Sequence, residues 1–257
     1  MSTAIQWVRS LIFNVHMYVA LLVVGILYAP AAIISADGAV AACHAYCRYI
    51  RWSASWMIGL KCEIRGEPPT DEVMVAPKHQ SFFDVLIIYG AMPRGKFIFK
   101  AILKYAPIIG QFGLRIGCIP VDRGKRGQAI KKMVADVKAG RARAGQLIIY
   151  PQGTRIAPGV KAPYKIGTGA LYRELGQPLV PVATNVGVFW PKRGVLRKPG
   201  IAVFEFLPRI EPGLEVSDFM ARLENEIEAA SDRLNKEAGF HSTTNDADLE
   251  ARAPKTM

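Results

Sequence analysis

"EVMVAPKHQSFFDVLIIYGAM", Glu72 to Met92, decides the fold. Its first part, EVMVAP, is a short apolar run ending in proline and reads as a strand. Its last part, FDVLIIYGAM, reads as a buried helix. Between them, His79 and Asp84 stand five residues apart. Neighbours on one face of a helix lie three or four apart, so this interval separates the two side chains on any regular helix. They meet only if the chain turns between them, with His79 in a loop and Asp84 inside a helix that starts after it. Ser81 is placed to cap that helix. A strand running through a turn into a helix is the repeating unit of an α/β sheet.

Outward from this unit the alternation continues. KFIFK is a short strand, and GCIPVDR, Gly117 to Arg123, is an apolar strand ending in charge. Gly127 to Gly140 has helical periodicity, with Gly140 as a stop. GQLIIYPQGTR, Gly145 to Arg155, is a strand that runs into a glycine turn. GTGALYREL is a helix, PLVPVATNV and IAVFEFL are strands, and Ser217 to Lys236 is an amphipathic helix. The expected fold class is α/β, a mixed and largely parallel sheet flanked by helices. The expected division is residues 1–60 as membrane-anchoring helices, 61–240 as the α/β domain, and 241–257 as a polar, disordered tail.

The N-terminal segment carries its own signal. Leu11 to Ile34 holds no acidic or basic residue apart from His16. A bilayer-crossing helix needs about 20 apolar residues. Asn14, His16 and Pro30 make the run an imperfect span, and it is too long for an ordinary signal-peptide core. Gly38 to Leu60 then mixes apolar bulk with Arg48, Arg51, Trp52 and Trp56, a composition suited to headgroup depth. Two arrangements fit: one span plus an interfacial helix, or a helical hairpin lodged in one leaflet. A buried core helix is the competing account.

Formal charge over the 257 residues is +12, so an anionic partner is expected. The charge is concentrated in the middle. From Lys78 to Arg209 the only acids are Asp84, Asp122, Asp136, Glu174 and Glu205. The four cysteines, Cys43, Cys47, Cys62 and Cys118, follow no zinc spacing and suit reduced thiols. No metal site is expected.

Of the four histidines, only His79 sits at a strand-to-helix junction, where α/β sheets build sites. An aspartate on one ring nitrogen would fix the tautomer and leave the other nitrogen as a base for a hydroxyl proton. Lys78, next door, is expected to lower the imidazole pKa. The plain alternative is a helix-capping histidine with Asp84 exposed or paired to an arginine. Two cationic loops add to the site: Arg123, Lys125 and Arg126 follow one strand, and Gly153, Thr154 and Arg155 follow another. Glycine admits an anion close to the backbone, threonine donates a hydroxyl, and arginine offers a planar fork for phosphate oxygens. If both strands are parallel neighbours of the one before His79, cations and imidazole share one sheet edge. Taken singly, each loop also fits an ordinary solvated surface loop.

His79-Gln80-Ser81-Phe82-Phe83-Asp84 resembles the H-x4-D motif of the glycerolipid acyltransferases. Gly117 to Arg123 resembles their second block, and Pro151 to Arg155 their third, usually proline-glutamate-glycine-threonine-arginine. Val180-Pro181-Val182 is similar to the fourth. The bacterial 1-acyl-glycerol-3-phosphate acyltransferases are the nearest branch in this resemblance. It implies that His79, oriented by Asp84, deprotonates the 2-hydroxyl of a lysophosphatidate. The alkoxide then attacks the thioester of an acyl-CoA or an acyl carrier protein, giving phosphatidate. It implies that Arg123, Gly153, Thr154 and Arg155 hold the acceptor phosphate and that Pro181 shapes the pocket. It implies no cofactor beyond the donor substrate and no metal. Two departures stand out: Lys78 replaces a common asparagine, and Gln152 replaces the glutamate, which makes the phosphate turn more cationic.

The expected partners are lysophosphatidate, an acyl thioester, with an acyl carrier protein as one form of donor, and anionic membrane lipid. The expected location is the bacterial cytoplasmic membrane, with the catalytic domain on the cytoplasmic face. Competing functions are acylation of glycerol 3-phosphate or another lyso-lipid, and non-catalytic binding of anionic lipid or nucleic acid. Nucleic acid is disfavoured by the absence of aromatic base-stacking strand motifs. A serine hydrolase is disfavoured by the absence of a G-x-S-x-G elbow.

Overall fold

The structure, a computed structural model, describes residues 2–121, 131, 134, 135 and 144–240. Two helices lead: α1 (Thr3–Ile34) and α2 (Ala36–Met57). Then come β1 (Leu60–Arg65), β2 (Met74–Pro77), α3 (Phe83–Ala91) and β3 (Gly95–Lys100). A 3-10 turn (Ala101–Tyr105), α4 (Ile109–Arg115), β4 (Ile119–Val121) and β5 (Gln146–Ile148) follow. The chain continues through α5 (Gly167–Leu175), β6 (Leu179–Thr184), α6 (Val186–Phe189), β7 (Gly200–Phe206) and α7 (Val216–Glu237). The helix expected over Gly127–Gly140 lies mostly outside the described residues, and Arg123 and the tail from His241 lie wholly outside them.

Among the described residues the seven strands form one sheet in the order β1-β7-β6-β2-β5-β3-β4. Only the β6–β7 pair is antiparallel. The strands β2 to β6 therefore all point one way, and their C-terminal ends line one edge. Their near-continuous apolar runs follow from burial on both faces. The period-2 alternation of strand side chains divides the core. Val75, Ile148 and Val180 face the cluster that includes α1, α2 and α3, while Met74, Leu147 and Leu179 face α5 and α7. On that second face Tyr172 stacks on Phe219 at 3.8 Å. The edge strand β1 carries lysine, glutamate and arginine, and this polar content hid it from a hydrophobicity reading.

The N-terminal segment is a helical hairpin. Ser35 alone joins the two helices in an extended conformation, with its hydroxyl accepting from Gly38 N at 3.0 Å. A Cβ on Gly38 would stand 2.2 Å from Ala31 O, so the turn closes only around glycine. One face of α1 is tied to the sheet domain. Gln6 Nε2 donates to Ile58 O and Arg197 O at 2.9 and 2.7 Å, and Arg197 N donates to Ser10 Oγ at 2.9 Å. Phe13 meets Trp190 edge to face at 5.6 Å. The opposite face is apolar and exposed: Ile12, Val15, Val19, Leu22, Val23 and Ile26 all lie open. Only 22% of the most apolar 18-residue stretch of α1 is buried, so α1 is not a core helix.

Phe13 is fully buried where the hairpin meets the sheet domain. Phe13→Ala should lower the unfolding free energy by about 3–5 kcal/mol, read from denaturant unfolding in detergent. A loss below about 1 kcal/mol would mean that the hairpin is not packed there.

Candidate active site

His79 lies two residues past the end of β2, and Asp84 is the second residue of α3. The carboxylate is fully buried. Its Oδ2 accepts three hydrogen bonds: from Gln80 N at 2.6 Å, Ser81 N at 2.8 Å and His79 Nδ1 at 3.0 Å. A carboxylate oxygen accepts only, so Nδ1 carries the hydrogen and Nε2 keeps its lone pair. Three N–H groups and the first turn of α3 together stabilise the negative charge. The five-residue interval thus closes through the turn. Ser81 acts differently from expectation. Its hydroxyl accepts from Phe83 N at 3.2 Å, while Phe82 occupies the cap position. The side chain that takes up the free N–H groups ahead of α3 is Asp84 itself.

The imidazole face rests on Tyr150, with ring centroids 3.9 Å apart and planes inclined by 19°. Burial, and then the nearby Asp84 charge, push the phenol well above its ordinary pKa. Tyr150 therefore stays neutral and acts as a packing surface. It fixes the ring plane. Tyr150 was not singled out from the sequence. The available signal was its place just past β5, directly before Pro151.

The parallel strand β5 is hydrogen-bonded to β2, with Val75 opposite Ile148. Its loop therefore leaves the same sheet edge. Gly153 adopts φ +67° and its N–H closes a turn onto Tyr150 O at 2.9 Å. Two residues after Thr154, Ile156 N donates to His79 O at 2.8 Å. The Gly153-Thr154-Arg155 turn is thereby bonded to the backbone of the histidine. Thr154 is exposed, and Arg155 makes only a long 3.4 Å contact to Lys192 O, leaving both polar ends accessible. The strand β4 is parallel to β3 but separated from β2 by β5 and β3, so of the two strands only β5 meets the condition of being a direct neighbour. Arg123, which follows it, lies outside the described residues.

Pro181 lies inside β6 opposite Ala76, buried, rather than at the loop edge. A proline there can accept from β7 but cannot return the bond, so the β6–β7 ladder is one bond short at this position. The β6–β7 pairing begins only at Val182, and Pro181 still accepts from Leu207 N at 3.0 Å. Lys78 also differs from expectation. Its buried ammonium turns away to pair with Glu228 of α7, and Tyr164 donates to the same carboxylate oxygen at 2.9 Å. Its charge is compensated there and is not free beside the imidazole. Gln152 is buried, and its Nε2 donates to Ala162 O at 3.1 Å. A glutamate cannot make that bond, so the amide serves the loop that follows the turn.

Comparison with known proteins bears on the family and on the fold. The acyltransferase family model matches residues 61–185. The 1-acyl-sn-glycerol-3-phosphate acyltransferase of Pseudomonas aeruginosa is 29% identical over 157 residues, 60% of this chain and 61% of that protein. The chain thus spans less than two thirds of that relative's length. The Saccharomyces cerevisiae protein of the same name is 27% identical over 205 residues, 77% of this chain and 67% of that one. Among solved structures, the 1-acyl-sn-glycerophosphate (LPA) acyltransferase PlsC of Thermotoga maritima superposes with a TM-score of 0.76. It is 16% identical and covers 91% of this chain and 99% of that one, a likeness of fold.

Removing the Asp84 carboxylate leaves two buried backbone N–H groups without their acceptor. Asp84→Ala should cost about 2–5 kcal/mol of unfolding free energy. Equal denaturant midpoints for the two proteins would contradict the structural role given to Oδ2.

Proposed function

We propose, from the premise that the chain belongs to the acyltransferase family, that it moves a fatty acyl group from a thioester to the 2-hydroxyl of lysophosphatidate. His79 Nε2 takes the hydroxyl proton as the oxygen attacks the thioester carbonyl. The tetrahedral oxyanion collapses and expels the thiolate of CoA or an acyl carrier protein. The imidazolium returns its proton to that sulfur, so the step balances with the two substrates alone. Asp84 holds the Nδ1–H and stabilises the transient positive ring. Arg155, Thr154 and the Gly153 turn would hold the acceptor phosphate, with Arg123 in the same role.

The observation that carries this reading is the pairing of two bonds. His79 Nδ1 is fixed to Asp84 at 3.0 Å, and His79 O receives Ile156 N at 2.8 Å. The base and the cationic turn are therefore held in one register. A phosphate gripped at the turn keeps its own glycerol hydroxyl beside the base, which converts an encounter into a positioned reaction. His79→Ala should reduce acyl transfer to lysophosphatidate by roughly 10²–10⁴-fold while leaving the fold intact. Near-normal turnover in that variant would refute the base assignment.

The hairpin fits the same reading. The acceptor's acyl chain resides in lipid, held by about 0.8 kcal/mol per buried CH₂. The exposed apolar face of α1, with Trp52 and Trp56 of α2, would sit at the surface of the bacterial cytoplasmic membrane, the catalytic domain facing the cytoplasm. Arg48 and the exposed Lys192 and Arg193 would add about 1 kcal/mol each on anionic lipid. In flotation with vesicles containing phosphatidylglycerol, the protein should rise with the lipid. The triple variant Ile12→Gln, Val19→Gln, Ile26→Gln should rise far less. Equal flotation of both would exclude the α1 face as the contact.

A further inference from the structure

The turn that follows β5 has a further cation outside the motif blocks. A Cβ on Gly153 would stand 3.3 Å from Lys165 Cδ, 3.4 Å from Cε and 3.6 Å from Nζ. The stem of Lys165 therefore occupies the space that a side chain at 153 would fill, and it brings the ammonium onto the Gly153-Thr154-Arg155 turn. Among the described residues, neither Lys165 nor Arg155 has a carboxylate partner. Two like charges brought to one turn without a counter-ion repel each other. An anion bound at the turn would offset that repulsion and could be met by both charges.

Lys165 is also held there. Its N–H donates to Pro151 O at 2.9 Å, and its carbonyl accepts from Thr168 N at 3.0 Å. The preceding residue, Tyr164, donates to Glu228 Oε1 at 2.9 Å, and that carboxylate is itself fixed by the buried ammonium of Lys78. Ala162, earlier in the same loop, is bound by Gln152 Nε2 at 3.1 Å. A surface lysine is ordinarily a mobile tether. Here the backbone at its root is pinned from both sides, so less freedom is lost when its head grips a ligand.

We propose that Lys165 is a further phosphate-binding residue of the acceptor site, and that the part-buried Lys78–Glu228–Tyr164 cluster positions it over the turn. The inference rests on the reading of the site as an acyltransferase centre with a phosphorylated acceptor. Arg155 supplies a planar fork from one side, and Lys165 supplies a point charge from over Gly153. The requirement for glycine at 153 then has two causes: its left-handed φ of +67° and the lysine stem that lies across it.

The test is steady-state kinetics of the full chain in detergent with 1-acyl lysophosphatidate and an acyl thioester, repeated with a monoacylglycerol as phosphate-free acceptor. Lys165→Gln should raise the lysophosphatidate KM by roughly 10-fold, leaving the thioester KM and the monoacylglycerol reaction unchanged. Lys165→Arg should recover most of the loss, because the charge is kept. Tyr164→Phe, which loosens the loop without stranding a buried charge, should give a smaller rise of the same kind. Arg155→Gln serves as the control for the phosphate turn. If Arg155→Gln raises the lysophosphatidate KM and Lys165→Gln does not, the inference is wrong and the wider reading stands. A Lys165→Gln effect equal on both acceptors, or on the thioester, overturns it as well. If His79→Ala still turns over normally, the wider reading falls and this inference with it.

Discussion

A single buried oxygen, Asp84 Oδ2, organises the sheet edge. It binds the backbone of Gln80 and Ser81 and the ring of His79 at once. The backbone bonds shape the turn between β2 and α3, and the ring bond uses that shape. A charged group with no exposure is costly unless its hydrogen bonds are made. The chain makes those of Oδ2 with the His79 ring and with N–H groups that would otherwise be free donors ahead of a helix, while Oδ1 has no partner among the described residues. The same carboxylate therefore folds the loop and sets the histidine tautomer, and neither role can be changed without the other.

Parallel strand order extends this control. Because β5 and β6 run beside β2 in the same direction, their loops leave at the same edge as His79. The Tyr150 ring, the Gly153 turn and the Gly187 N–H to Gln80 Oε1 at 2.8 Å all reach the His79 loop from those neighbours. The far face contributes through α7, where Glu228 crosses to Lys78 and Tyr164. A buried pair of this kind adds little net stability against an apolar substitute, because desolvation offsets attraction. Its value is in register: it fixes the strand end, the C-terminal helix and the loop to one another.

The sequence showed the local parts well. Residues 72–92 gave strand, turn and helix almost to the residue, because apolar period and a helix-start signal coincide there. Gly153 was legible because a turn with positive φ demands glycine. The partners of Lys78 were not legible, since Glu228 lies 150 positions away and no local pattern encodes that contact. Lys78 was read as a charge beside the imidazole and Gln152 as a lost negative charge at the turn, yet burial turned one toward α7 and gave the other a structural bond. Tyr150 escaped because stacking depends on how two strands are placed side by side. The strand β1 escaped because an edge strand with alternating polar residues looks like a linker.

The hairpin and the candidate site also share a support. Gln80, beside the base, accepts from Gly187 of α6. The helix α6 leads into Trp190, which packs against both Phe83 of α3 and Phe13 of α1. The following loop meets α1 through Arg197 O on Gln6 Nε2 at 2.7 Å, and it meets the Gly153-Thr154-Arg155 turn through Lys192 O and Arg155. The links through Gln80, Trp190 and Gln6 are packed rings or hydrogen bonds in buried segments, while the Arg155 link is a long, exposed one. The height of the apolar face of α1 is thereby set relative to the imidazole. Under the proposed function an amphiphilic acceptor would need that relation, because its tail would stay in lipid while its hydroxyl met Nε2. A tether of flexible residues would leave the distance unspecified and lose the positional advantage that binding the headgroup confers. Under the proposed function, rigid attachment of the hairpin is therefore part of how the chain presents its base to a substrate that does not leave the bilayer.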